Sequence, residues 1–216
     1  MALAITAALA AALLGGLLLR CAQQTVRQQG AAPRRGWGVR CVLVYIAVCQ
    51  VAVALVLTLY YGVVWQDLLR TLLALAILWP CAWADAQVRL IPNRVLLPGT
   101  VLCAALLAVE ILLQPQQALY FAVRALLAGA ALLLTALLCR ALSPQAVGMG
   151  DVKLLGVLGF CLGMDLVWPA LFFGFLLLFV VCVFLLLTHR VSRSDSVPFA
   201  PFLLAGTVLA AFLTGI

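Results

Sequence analysis

The chain has 216 residues, 68% hydrophobic and only 9% charged, against about 25% charged in an ordinary soluble domain. That balance excludes a water-soluble globular protein and points to an all-α bundle of transmembrane helices with the lipid bilayer as its first partner. A formal charge of +7 would suggest nucleic acid as a partner for a soluble protein. Here the basic residues fall in the breaks between apolar runs, so they report topology, and no nucleic-acid partner is implied.

Crossing a hydrocarbon core takes about 20 apolar residues. Apolar runs at roughly 2 to 19, 41 to 64, 68 to 86, 95 to 113, 118 to 139, 152 to 164, 166 to 188 and 198 to 215 predict about eight helices, or seven if the short sixth run does not span. They form a single membrane domain over 1–216. The first run lacks a basic segment ahead of it and has its arginines after it, which favours a retained helix over a cleaved signal peptide. The polar stretch 20–40 reads as a short, basic cytosolic loop, too short to fold alone.

With the N-terminus outside, 11 of the 13 basic residues fall on the inner side, and only Arg70 and Arg124 fall outside. The positive-inside rule therefore predicts that both chain ends face outward. The eight cysteines contain no C-x-x-C pair and lie mostly in or beside apolar runs. They read as small core residues, with neither a disulfide framework nor a metal site implied.

Six acidic residues remain to carry chemistry. Asp67, Asp165 and Asp195 fall in short loops or at helix ends and read as caps or solvated charges. Asp85, Glu110 and Asp151 adjoin or interrupt apolar runs, where an ionisable group is a functional hypothesis by default. Glu110 and Arg124 lie at similar distances from the QPQQ turn and predict an ion pair across that hairpin.

Asp85 in WADAQVRLIPNR and Asp151 in GMGDVKLLG both arrive at the inner membrane face. Two close carboxylates cannot both ionise readily, so one shared proton leaves a base to activate water and an acid to protonate a carbonyl, as amide hydrolysis needs. Gly148 and Gly150 remove side-chain bulk just before Asp151 and let another backbone approach. Taken singly, each aspartate reads equally well as a cap or an interfacial charge paired with Arg89, Arg94 or Lys153. Helix dipoles would make Asp151, at a helix N-terminus, the ionised base and Asp85, near a C-terminus, the acid. Lys153 reads as a snorkelling anchor, and Pro92 and Asn93 as helix punctuation. His189 reads as a headgroup-boundary residue.

Asp85 with the following QVRLIPN, the run Gly148–Met149–Gly150–Asp151–Val152–Lys153, and VPFAPF at the last helix together resemble the type IV prepilin peptidases, which are Gly-x-Gly-Asp membrane aspartyl proteases. The resemblance covers roughly residues 65 to 215 as a peptidase-like helical core. It implies that Asp85 and Asp151 are catalytic and that the substrates are prepilins or pseudopilins, cut after a short basic leader. It also implies a bacterial cytoplasmic membrane with the active site toward the cytosol, and no cofactor. In VPFAPF, Pro198, Phe199 and Pro201 are expected to leave unpaired backbone near the site, with substrate docking as their role. Many family members carry paired C-x-x-C motifs between the first two helices and methylate the new amine. Here Cys21 and Cys41 stand alone, so a short, peptidase-only form without methyltransferase activity is expected. Two other classes stay open on the residues alone: an ion- or proton-coupled transporter using the aspartates along its path, and a non-catalytic assembly scaffold.

Overall fold

A computed structural model describes residues 2–28, 39–143, 147–188 and 197–215. The described residues contain seven helices and no strand: α1 (Ala2–Gln28), α2 (Val39–Leu59), α3 (Trp65–Val88), α4 (Asn93–Leu113), α5 (Pro115–Leu142), α6 (Met149–Leu187) and α7 (Ala200–Thr214). The first six are long and apolar enough to cross a membrane, as in a multi-pass membrane protein, and α7 is a shorter apolar helix. α1 continues through Arg20 and Arg27 to Gln28. Part of the stretch expected as loop is therefore helical, because Gln, Arg and Thr end the apolar run without ending the helix. Residues 39–40 begin α2, and residues 29–38, with His189 and Asp195, lie outside the described residues.

The runs expected at 152–164 and 166–188 are joined in α6, whose 39 residues would extend about 58 Å if straight, nearly twice the hydrocarbon core. Gly163 breaks it with φ 68° and ψ −171°, a conformation reserved for glycine. Before the break, Gly156 and Gly159 pack against Gly129 of α5, and Gly163 itself abuts Phe121. After it, Ala170 and Gly174 meet Gly206 of α7, and the Phe175 ring lies 5.5 Å from that of Phe199. Residue numbers rise along the second segment as they fall along α7, so the chain reverses direction at Gly163.

α3 is the central helix, packed against α1, α2, α4, α6 and α7. Its Leu72, Leu75, Ile77 and Leu78 are almost wholly enclosed. Lipid is as apolar as leucine, so burial alone does not drive these contacts; close van der Waals packing and interhelical polar bonds do. Gly99 illustrates the first, since a Cβ there would meet Ile77 at 2.7 Å. The buried Gln50 illustrates the second, donating from Nε2 to the Leu72 carbonyl at 3.3 Å.

The charges expected across the QPQQ turn pair differently. Glu110, fully buried, is bonded to Arg70 of α3, and Arg70 also donates to Asp67 at 2.9 Å and lies 3.3 Å over the Phe121 ring. Arg124 pairs instead with Asp165, at 2.5 Å, just past the Gly163 reversal. The expected Glu110–Arg124 pair is thus replaced by two others. Hydropathy gives each residue's depth along its helix but not the direction in which its side chain points. Cys103 of α4 and Cys161 of α6 are bonded to one another, with Cα atoms 5.8 Å apart, so two of the cysteines expected as plain core residues form a crosslink.

These ion pairs differ in exposure, with side chains 11% and 0% accessible for Arg70 and Glu110 but 30% and 53% for Arg124 and Asp165. Glu110→Ala leaves Arg70 with Asp67 alone and is expected to cost about 3 kcal/mol, as for a broken buried pair. Asp165→Ala should cost about 0–1 kcal/mol, as for an exposed one. Denaturation in detergent measures both, and equal losses would contradict this ranking.

Candidate active site

The end of the bundle opposite these ion pairs gathers the last turn of α3, the first turns of α4, α6 and α7, and the loop before α6. α3 ends where Arg89 turns left-handed at φ 54° and donates its backbone N–H to the Asp85 carbonyl at 2.8 Å. That cap turns the chain sharply into Leu90, Ile91 and Pro92. Pro92, extended at φ −76° and ψ 123°, then starts α4 at Asn93.

The Gly-x-Gly-Asp run acquires a separate reason for each glycine. Gly148 is the N-cap of α6, which places Asp151 at the third helical position. From there the carboxylate lies back toward Gly148, where the returning half of a capping box sits. A Cβ on Gly148 would lie 2.9 Å from Asp151 Oδ2, crowding that arrangement. Gly150 faces the other way: a Cβ there would lie 2.9 Å from Ile91 Cβ, so its absence lets α6 close onto the turn between α3 and α4. Arg140 donates to the Val147 carbonyl at 2.8 Å and ties α5 to the residue just before the motif.

Asp85 is 5% exposed, and its Oδ2 accepts the Ala200 N–H at 2.8 Å, with the Phe199 N–H as a further donor. These are unpaired amides at the start of α7, where Pro201 in the first turn has no N–H to offer. The expectation that only Asp151 sits at a positive helix end does not hold, because Asp85 receives the N-terminus of α7. The dipole argument therefore does not separate the two carboxylates.

Asp85 and Asp151, 66 residues apart in sequence, line one cavity of about 370 Å³ together with Arg89, Asn93, Gly148, Gly150 and Lys153. Lys153 Nζ donates to Asn93 Oδ1 at 3.2 Å across the mouth, tying α6 to α4. The structure thus brings four of the expected residues together: Asp85, Asp151, Gly148 and Gly150. Pro198 instead borders a neighbouring cavity with the Ala86–Arg89 stretch, and neither Phe199 nor Pro201 lines the aspartate cavity. Sequence reading expected unpaired backbone near the site in VPFAPF but did not assign it to Asp85, and it missed the Lys153–Asn93 link. A backbone donor has no residue signature, although prolines bracketing a helix start are a signal for one. The described residues hold no cluster of three or more metal-ligating side chains.

Residues 72–188 match the Type IV leader peptidase family. A 144-residue stretch is 33% identical to the Prepilin leader peptidase/N-methyltransferase of Bacillus subtilis (strain 168), covering 67% of this chain and 55% of that relative. The chain therefore spans little more than half the length of the relative it matches. No solved structure matches. The family match runs from the middle of α3 through both segments of α6 and includes both aspartates, the Ile91–Pro92–Asn93 turn and the Gly-x-Gly-Asp run: this chain belongs to the Type IV leader peptidase family.

Proposed function

We propose that the protein is a membrane aspartic endopeptidase that removes the short basic leader of type IV prepilins or pseudopilins at the cytosolic face of a bacterial inner membrane. The observation that carries this reading is the meeting of Asp85 and Asp151 in one cavity at the end of the bundle, in a chain of this family. Their position at helix ends favours hydrolysis over translocation, since transporter sites lie near the bilayer midplane.

The chemistry needs one carboxylate and one carboxylic acid. The ionised aspartate takes a proton from water, and the resulting hydroxide attacks the scissile carbonyl carbon as the other aspartate protonates its oxygen. Collapse of the tetrahedral intermediate breaks the C–N bond, with a proton delivered to the departing nitrogen, leaving a leader carboxylate and a new amine. The Ala200 amide fixes Asp85, so that carboxylate need not be oriented during reaction. The docking role expected for Pro198, Phe199 and Pro201 becomes one of presenting this donor. The inward placement of the site rests on the arginine-rich breaks, with both chain ends outside.

Methyl transfer is not part of the proposal, although the Bacillus relative's name includes it. Cys21 and Cys41 have no C-x-x-C partners in the sequence. Incubating cleaved product with S-adenosylmethionine should add no methyl group by mass spectrometry, and an added 14 mass units would refute the single-activity reading.

The first test is cleavage of a glycine-containing prepilin precursor by detergent-purified protein, with the cut located by mass spectrometry. Asp85→Asn and Asp151→Asn should each lower kcat by about 10³ or more without unfolding the protein. Full activity in either variant would remove that residue from the mechanism. The pH–rate profile should be bell-shaped, with limbs that belong to the pair rather than to either aspartate, and a single monotonic limb would argue against a shared proton. Gly150→Ala should lower kcat roughly tenfold or more by pushing α6 off Ile91. Adding Ile91→Ala should restore part of that loss, and no recovery would mean the contact is not what positions Asp151.

A further inference from the structure

Beside the aspartate cavity lies a larger one, of about 660 Å³, and the two share Asn93 and Lys153. α4 forms one wall with Leu97 and Thr100, and α5 forms another with Leu126, Ala130 and Leu133. Val157 of α6 lies between them. Along each of α4, α5 and α6 the lining spans seven residue steps, from Asn93 to Thr100, Leu126 to Leu133 and Lys153 to Phe160, or about 10 Å of depth. Leu97 and Leu126 are 73% and 60% exposed, so the protein's own packing does not consume this face. The lining is apolar, with Phe160 at its far end, apart from Thr100, whose hydroxyl is already bonded to the Leu96 carbonyl at 2.8 Å, and the Asn93–Lys153 end.

We propose that this groove between α4, α5 and the first segment of α6 is the docking site for the apolar helix of the substrate. The inference rests on the peptidase reading and deepens it. Its occupant is argued from continuity. A helix seated between Leu97 and Leu126 reaches the Lys153–Asn93 bridge at its inner end, and the chain preceding it then passes directly into the aspartate cavity. Such a seat aligns the peptide bond just before the apolar segment with the carboxylates, so the groove selects the bond as well as holding the substrate. A helix amide is already hydrogen-bonded, so the substrate must be unwound where it is cut. The change from apolar to polar lining at Asn93 and Lys153 is where that transition falls.

The test places p-benzoylphenylalanine at Leu126, at Ala130 or, as a control on the outer face of α1, at Leu13, in full-length Asp151→Asn protein reconstituted in vesicles with a prepilin precursor. Adducts to the precursor's apolar helix at positions 126 and 130 but not 13 are expected. Adducts to phospholipid alone, or equal precursor adducts at all three positions, would overturn the groove assignment. In protein retaining Asp151, Ala130→Trp should raise KM for the precursor roughly tenfold with little change in kcat, and an unchanged KM would also overturn it. If wild-type protein cleaves the precursor while these results fail, the groove alone is wrong. If wild-type protein cleaves no precursor, the peptidase reading fails and the groove assignment with it.

Discussion

The missing side chain at Gly150 sets the distance between the two halves of the site. Its absent Cβ would lie 2.9 Å from that of Ile91, so α6 rests directly on the turn that leaves α3. Asp85 is four residues before the start of that turn and Asp151 is one residue after the glycine. Their shared cavity is therefore a consequence of this one contact. The surrounding features hold it in place: Arg89 ends α3 in a left-handed cap, Pro92 starts α4, and Arg140 bonds Val147 just before α6. A larger residue at 150 has no route of escape except separation of α6 from α4, which also breaks the Lys153–Asn93 link.

The two ends of the bundle handle charge in opposite ways. At one, Arg70 and Arg124 are matched by Glu110, Asp67 and Asp165, and Cys103 is crosslinked to Cys161 nearby on α4 and α6. At the other, the buried Asp85 carboxylate accepts the Ala200 amide, and Asp151 lies at the N-terminus of α6. An ion pair would commit a carboxylate to the charged form. Amide donors orient it while leaving the pair able to hold a single proton between them. In the proposed peptidase, rigid pairing is thus kept away from the end where protons would move.

Hydropathy was enough to find the helices, since each apolar run corresponds to a helix or, at 152–164 and 166–188, to one of two antiparallel segments. Asp85 and Asp151 were legible because ionisable residues at the edge of an apolar run are rare, and Gly148 and Gly150 because both sit at a helix mouth. Lateral pairing was not legible. Glu110 shares its depth with Arg70 and Arg124 alike, and only the rotation of α3, α4 and α5 about their axes decides for Arg70. The same ambiguity hid the bond between Cys103 and Cys161. Unpaired backbone in VPFAPF was legible from its prolines, but its acceptor, Asp85, was not, since any residue except proline supplies the same N–H.

Hydrolysis inside a membrane protein sets two requirements against each other. Water must reach the scissile bond, while the apolar helix next to that bond gains nothing by leaving lipid. Here the polar aspartate cavity and the apolar groove lie end to end, divided by the Lys153–Asn93 bridge. In the proposed complex, a substrate spanning both would keep its apolar part dry and expose only the chain just beyond it. On the proposed peptidase reading, the point where the substrate's hydrophobicity stops then helps to place the cut, alongside the residues at the bond itself.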